Sequence, residues 1–268
     1  MDRRTFLTST VGTTLLSMHA GTGAAQQAGA TERTAGDLYI WRQYTLRTGT
    51  GPRRLADYLQ NAYIPALNRI GHKPIGVFEV TTGLPTPTVF VLTPATIENL
   101  GAIETTLERD DAFMRAAAPY FDAPAVDPVY VRQEVALLAA FPKVPHVEVP
   151  PATAAKGPRL FELRTYESHN ERAHRAKVRM FADMGEIEIF RRAGLAPVFF
   201  SRTVAGSRMP SLVYMLVHEN QASREKAWDA FRNDPDWKKL SATPGYTDPE
   251  IVSNITTVLL RPAAYSQI

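Results

Sequence analysis

The sequence predicts an α+β fold: two tandem ferredoxin-like domains of βαββαβ order that pack sheet to sheet as an intramolecular α/β barrel. Residues 160–166 alternate between apolar and polar side chains with the period of two expected of a two-sided strand. Residues 170–193 then carry apolar side chains at spacings of three and four, which is typical of an amphipathic helix. A similar series stands earlier in the chain, and the repetition of a whole unit indicates two domains of one kind.

The repeat extends beyond one strand. Residues 38–44 (LYIWRQY) match residues 160–166 (LFELRTY), and Gly71 matches Gly194 at nearly the same offset. Each of these glycines follows a predicted helix, where glycine commonly ends one. Because the offset drifts only slightly along the chain, the insertions that separate the two copies are predicted to lie in loops.

The N-terminus has the features of an export signal. Arg3 and Arg4 form a twin-arginine pair, an apolar stretch follows over residues 6–20, and small residues at 23–25 suit a signal peptidase. We therefore expect residues 1–25 to direct twin-arginine export to a bacterial periplasm or out of the cell; a disordered basic tail is the alternative. No other apolar run approaches the roughly 20 residues that span a bilayer, so no stable membrane insertion is predicted after cleavage.

The composition excludes several kinds of partner and site. The chain has 30 Lys and Arg against 27 Asp and Glu, and a net charge of +3 is too balanced to suggest a nucleic-acid partner. There is no cysteine, which excludes disulfides, thiolate metal sites and cysteine nucleophiles.

The predicted domain boundaries follow the composition. A disordered linker over residues 26–37 precedes a divergent first domain over 38–142. A proline-rich linker over 143–158 separates it from the second domain, 159–262, and residues 263–268 form a C-terminal tail.

Each copy is predicted to run strand, helix, strand, strand, helix, strand. In the first copy the strands are 38–45, 75–81, 88–93 and 129–140, and the helices are 53–70 and 96–118. In the second copy the strands are 160–166, 197–204, 211–218 and 251–260, and the helices are 170–193 and 222–232. Two βαβ halves joined in this way place both helices of a copy on one face of its sheet.

A helix cap is predicted in the second copy. Pro235 cannot continue the preceding helix, but with Asp234 as N-cap it suits the first position of a new turn. Capping is also the expected role of the matching pair Asp110-Asp111 in the first copy. Trp237 is predicted to anchor this helical region to the sheet.

The other face of each sheet also needs cover. We assign Phe161 and Leu163 to the side that packs on the helices, which leaves the alternate residues of the same strand facing the other sheet. The residues assigned to this interface between the sheets are Ile40, Arg42, Tyr44, Glu162, Arg164 and Tyr166. Because buried charges need partners, the polar ones should pair with one another or contact a ligand or water.

Several segments of the second copy resemble the NIPSNAP family. The most specific are the strand Phe161–Tyr166 (FELRTY) and the turn Asp234–Trp237 (DPDW); Leu212–Glu219 and Asn254–Arg261 also fit. The first copy departs from the pattern, since Ile40 replaces the glutamate of the strand. Together with the predicted twin-arginine signal, the resemblance identifies the chain as a secreted bacterial member with tandem NIPSNAP-like domains. It also implies the dimeric α/β-barrel fold, in a family without a settled general activity.

The candidate site residues share the polar strand face or lie near it. Glu162, Arg164 and Tyr166 place an acid, a cation and a phenol together, which could bind an anionic ligand; a buried network between the sheets is the interpretation that we favour. The other ligand-binding candidates are Arg42, Tyr44, His218 and Trp237. His218 ends a strand where ligands often reach, although we favour a solvated strand end as its role. No metal site is predicted.

Three hypotheses about function remain open. The first is a binding or interaction module whose barrel holds a small molecule or mediates assembly with a protein partner. The second is an oxidoreductase of the small-monooxygenase or haem-handling kind, for which His218, Trp228 and Trp237 are the available residues. The third is a structural homo-oligomer in which exposed strand edges pair between chains. We favour the first, without a demonstrable enzymatic activity and without a cofactor; haem is the alternative cofactor.

Overall fold

The computed structural model describes residues 36–151 and 156–268. The predicted signal at 1–25, nearly all of the linker at 26–37 and four residues of the proline-rich linker lie outside the described residues. No helix of the described ranges is both long enough and apolar enough to cross a membrane.

The strands form one closed antiparallel barrel, in the order β1-β3-β2-β8-β5-β7-β6-β4. They are β1 (Leu38–Thr45), β2 (Gly76–Thr82), β3 (Thr88–Ala95), β4 (Arg132–Ala140), β5 (Leu160–Glu167), β6 (Ala196–Ala205), β7 (Ser211–His218) and β8 (Asn254–Pro262). The prediction of an intramolecular α/β barrel is confirmed. Each described strand pairs with a neighbour on both sides, so the described strands leave no exposed edge. The hypothesis that strand edges pair between chains therefore has no support among them.

Helices cover the outside of the barrel in two groups. The first group is α1 (Gly51–Tyr58), which continues through a π-helical turn (Leu59–Tyr63) into α2 (Ile64–Arg69), then α3 (Ile103–Glu108) and α4 (Asp111–Phe121). The second group is α5 (Glu171–Ala182), α6 (Glu186–Arg192), α7 (Gln221–Asn233), α8 (Pro235–Ser241) and α9 (Asp248–Ile251).

Two predicted helices are each divided in two. The helix predicted over 170–193 ends at Ala182 and restarts at Glu186, because Gly185 between them adopts a φ of 93°, in the left-handed region that glycine favours. The helix predicted over 96–118 becomes α3 and α4, because the Asp110 side chain accepts from the backbone of Ala112 and Phe113 and caps a new helix. Asp234 caps α8 in the same way, as predicted.

The assignment of strand faces was wrong. Phe161 and Leu163 belong to an apolar cluster inside the barrel, to which both halves contribute. Glu162 and Tyr166 lie on the outer face, beneath the second group of helices, and Ile40 packs with the first group. The physical reason is that the inner faces of the two halves pack on each other as an apolar core, whereas the helices supply polar partners for charged strand residues.

The C-terminal tail closes one end of the barrel. Ile268 is buried within the interior cluster, and Gln267 donates its backbone N–H to the carbonyl of Ile75 at 3.0 Å. The hydroxyl of Ser266 accepts from the backbone N–H of Val77, also at 3.0 Å. Residues 263–268 are therefore part of the folded unit, and the opposite end of the barrel is the one with access to its interior.

Candidate functional site

Glu162 is the centre of a buried polar network on β5. Arg224 of α7 donates to both carboxylate oxygens, with Nε 2.8 Å from Oε2 and Nη2 2.9 Å from Oε1. The indole Nε1 of Trp228 donates to Oε2 at 2.8 Å, and Nε2 of His218 lies 3.3 Å from the same oxygen. Burial alone would raise the pKa of Glu162, but hydrogen bonds from His218, Arg224 and Trp228 outweigh it and lower the pKa to about 2. The carboxylate is therefore an anion at neutral pH, with its partners already supplied.

Arg164 completes this network. Its Nη1 lies 3.7 Å from Glu162 Oε1, and its guanidinium stacks over the rings of Trp228 and Tyr166 at 4.6 and 5.4 Å. The hydroxyl of Tyr166 accepts from the hydroxyl of Tyr214 at 3.3 Å. The predicted trio does lie together, but its neighbours are side chains of the second half rather than the other sheet.

A buried lysine extends the network toward the helices. The Nζ of Lys177 lies 3.3 Å from Asp248 Oδ1 and 3.5 Å from Glu186 Oε2. It faces the rings of Tyr166 and Trp237 at 5.3 and 5.6 Å. Burial raises the pKa of Glu186 to about 7, although Lys177 opposes the rise. Trp237 is thus an edge of this cluster, and its ring also packs on Phe231.

His218 is not a solvated strand end. Its side chain is buried against Glu162, so it is committed to the network. The sequence offered no signal for Arg224, which stands among other polar residues of its helix. Lys177 could have been found, because it stands four residues after Ala173 and three before Met180, both on the apolar stripe.

The first half places Arg42 in different surroundings. Its Nη1 donates to the hydroxyl of Tyr63 at 2.6 Å. Ile40 occupies the position that corresponds to Glu162, so no carboxylate lies beside Arg42 on the strand. The Tyr44 hydroxyl accepts from Nε2 of Gln133 at 3.0 Å, and burial raises the pKa of Tyr44 to about 12. Arg42 and Tyr44 therefore do not join the Glu162 network, because each half buries its own strand face under its own helices.

The open end of the barrel holds a cavity of about 120 Å³. Its floor is apolar and includes Trp41, which stacks on Phe90 with ring centroids 4.9 Å apart. Its rim is polar and includes Gln43, Glu134, Thr165, Thr203, Arg208 and Thr256. None of the predicted site residues lines this cavity, because they lie on the outer face of the strands or, in the case of Trp237, on a helix outside the barrel.

The sequence does contain a signal for the barrel mouth. Tyr39, Trp41 and Gln43 share the inward face of β1, and Phe161, Leu163 and Thr165 share the inward face of β5. Each of these runs changes from apolar to polar at its last member. Such a change marks where a strand leaves the core and becomes accessible to water.

The rest of the described chain offers no obvious metal centre. Within residues 36–151 and 156–268, no group of three or more His, Asp and Glu side chains is placed to hold a metal ion.

Residues 161–267 match the NIPSNAP family model. Among solved structures, a presumed monooxygenase from Lactobacillus acidophilus NCFM superposes with a TM-score of 0.55 at 11% identity, covering 85% of this chain and 94% of that one. A presumed monooxygenase from Fusobacterium nucleatum gives a TM-score of 0.50 at 7% identity, covering 85% and 93%.

An uncharacterized NIPSNAP-like domain protein from Burkholderia xenovorans gives a TM-score of 0.36 at 18% identity, covering 40% of this chain and 88% of that one. None of the curated proteins matches the sequence. At these identities the two longer similarities support the barrel fold and nothing finer.

Proposed function

We propose that this chain, which carries a NIPSNAP-family domain at residues 161–267, is a small-ligand-binding protein whose ligand occupies the open mouth of the barrel. The observation that carries the proposal is the cavity itself, which combines an aromatic floor at Trp41 and Phe90 with a polar rim. Small-molecule sites typically have such apolar walls and a few polar groups that orient the ligand.

The lining indicates the kind of ligand. A volume of about 120 Å³ holds a small molecule or one ring of a larger one. Thr165, Thr203 and Thr256 line the cavity, and the charged rim residues, Glu134 and Arg208, are exposed to water. Gln43 donates to Glu134 at 3.3 Å, and Arg208 donates to Thr256 at 3.2 Å. An uncharged molecule with one flat apolar part and one or two hydroxyl or carbonyl groups fits best.

The proposal also covers the architecture of each half, the export of the protein and its partners. Each half is a ferredoxin-like unit; in support, the strands order as β4-β1-β3-β2 in one half and β8-β5-β7-β6 in the other. The protein is exported by the twin-arginine route to the periplasm or the exterior and works without a cofactor, a nucleic-acid partner or stable membrane insertion. If the protein forms homo-oligomers, it does so through surfaces other than strand edges.

An oxidoreductase of the monooxygenase or haem-handling kind is the second candidate. Its support is the similarity of fold to the two presumed monooxygenases. Two of the residues that such an enzyme would use, His218 and Trp228, are already engaged, because both contact the carboxylate of Glu162. We therefore rank it below ligand binding.

Native mass spectrometry of protein purified from its own host tests the proposal. Thr256 lines the cavity, whereas Thr257 beside it faces the outside of β8. Thr256→Phe should fill the mouth and release a co-purifying small molecule, and Thr257→Phe, the matched control, should retain it. A wild-type protein without any bound molecule, or a Thr256→Phe variant that keeps it, would contradict the proposal.

A further inference from the structure

A second feature, separate from the barrel mouth, is the incompletely paired charge of Arg42. Its side chain is only 10% exposed, and its one hydrogen bond to another described side chain goes to the neutral hydroxyl of Tyr63. The nearest carboxylate, that of Glu104, lies 3.9 Å away, beyond hydrogen-bonding distance, on a side chain that is 83% exposed. A guanidinium has five N–H donors, and a buried cation without an anion is costly, so the site favours an anion.

Arg42 borders a cavity of about 350 Å³. The cavity lies between the outer face of β1 and β4 and the segment that leads into α3, and it opens to solvent. Apart from Arg42 and Glu104, the described residues of its wall are mostly apolar, and they include Leu100, Val135 and Leu137. Val135 is 52% exposed, which is unusual for a valine in the middle of a strand.

The geometry points to a binding site for a small monocarboxylic acid with an apolar chain or ring. The carboxylate meets Arg42, whose planar fork matches two oxygens, and the apolar part covers Val135 and Leu137. Arg42 is the one basic residue among the described residues that line the cavity. The nearby carboxylate of Glu104 would repel a second negative charge, which favours a monoanion over a phosphate or a dicarboxylate.

This site does not depend on the barrel mouth. Arg42 lies on the outer face of β1, whereas Trp41 and Gln43 on either side of it face the interior cavity. Val135 and Ala136 border both cavities, but Arg42, Glu104 and Leu137 line this one and not the barrel mouth. Substitutions at Arg42 and Glu104 therefore leave the lining of the mouth unchanged.

Isothermal titration with sodium hexanoate tests the proposal, with hexanamide and hexylammonium as uncharged and cationic controls of the same chain length. Wild-type protein should bind hexanoate more tightly than either control. Arg42→Met should weaken hexanoate binding at least tenfold, by roughly the energy of one charge-assisted hydrogen bond. Arg164→Met, the matching change in the second half, should leave hexanoate binding unchanged, because Arg164 does not line this cavity.

Glu104→Gln keeps the proposal testable if Arg42→Met does not fold, because Glu104 is exposed. Removing its negative charge should tighten hexanoate binding by about two- to fivefold. Equal binding of hexanoate and hexylammonium would overturn the proposal, as would an unchanged affinity in Arg42→Met. A Glu104→Gln variant with lower stability and no gain in affinity would also overturn it, since Glu104 would then be the resident anion of Arg42.

Discussion

The two halves of the barrel share their helix caps but differ in how they surround a matching arginine. Asp110 caps α4 and pairs with Arg69; Asp234 caps α8 and pairs with Arg192 at 2.9 Å. On the strands, by contrast, Arg164 lies 3.7 Å from the buried carboxylate of Glu162. Among the described residues, Arg42 has the Tyr63 hydroxyl as its hydrogen-bond partner, and its nearest carboxylate is that of the exposed Glu104, 3.9 Å away.

The difference arises at one strand position. Glu162 in the second half draws in Arg224, Trp228 and His218, and the resulting network fills the space between the strand and α7. Ile40 in the first half can attract none of these partners, and a cavity opens beside Arg42. The architecture that the two halves share is thus set by capping and apolar packing, whereas a single carboxylate decides whether the strand face is a closed network or an accessible pocket.

Removing that carboxylate should have the largest effect. Glu162→Ala leaves Arg224 and Arg164 without their buried anion, and breaking a buried ion pair in this way costs about 3–5 kcal/mol. We expect the free energy of unfolding in urea to fall by about that amount. Glu79→Ala is the matched control, because Glu79 is a strand glutamate paired with Arg261 at the surface. Its loss should cost about 1 kcal/mol or less, and equal losses in the two variants would refute the distinction between buried and exposed pairs.

A second test measures how the protonation of Glu186 makes the free energy of unfolding depend on pH. Burial raises its pKa from 4.5 to about 7, so the folded protein holds a proton there that the unfolded chain has lost. The unfolded state binds fewer protons over this range, and the free energy of unfolding should therefore fall as the pH rises from about 4.5 to about 7. Glu186→Gln should remove a fall of about 1–3 kcal/mol. Glu188→Gln, on the exposed side of the same helix, should retain it; a curve for Glu186→Gln that matches wild type would contradict this account.

Glu162 should make the free energy of unfolding change with pH in the opposite direction, and at lower pH. Its pKa in the folded state is about 2, below its ordinary value of 4.5. The stability that it contributes is therefore present above pH about 4.5 and is lost as the pH falls toward 2. In Glu162→Ala this acid-side loss should be smaller than in wild type.

The third prediction concerns a substitution that makes the first half resemble the second. Ile40→Glu places a carboxylate at the position that corresponds to Glu162, where it can pair with Arg42. We expect hexanoate binding to weaken about tenfold or more, because the protein then supplies its own anion, a change of about 1.4 kcal/mol per factor of ten. Ile40→Gln has similar size without the charge and should weaken binding less. Equal effects of the two substitutions would mean that loss of the apolar wall, rather than neutralisation of Arg42, is responsible.

The sequence predicted the architecture better than the site, for a physical reason. The alternation in residues 160–166 and the cap at Asp234 are local patterns, and both were sufficient to predict their elements. Whether Phe161 or Glu162 faces the interior is not local, because it depends on what the other half places there. The apolar inner face and the polar partners on α7 become visible only when strands far apart in sequence meet, and Arg224 gave no sign of its role beforehand.

The smallest expected effects concern the shared caps, and they test whether the two halves are equivalent where they look alike. Asp110→Ala and Asp234→Ala each remove a side chain that accepts from two backbone N–H groups at the start of a helix. Each should lower the melting temperature by about 2–4 °C. Asp111→Ala, next to the cap of the first half, should change it less. A loss at Asp234 far larger than at Asp110 would show that its pairing with Arg192, rather than the cap, dominates in the second half.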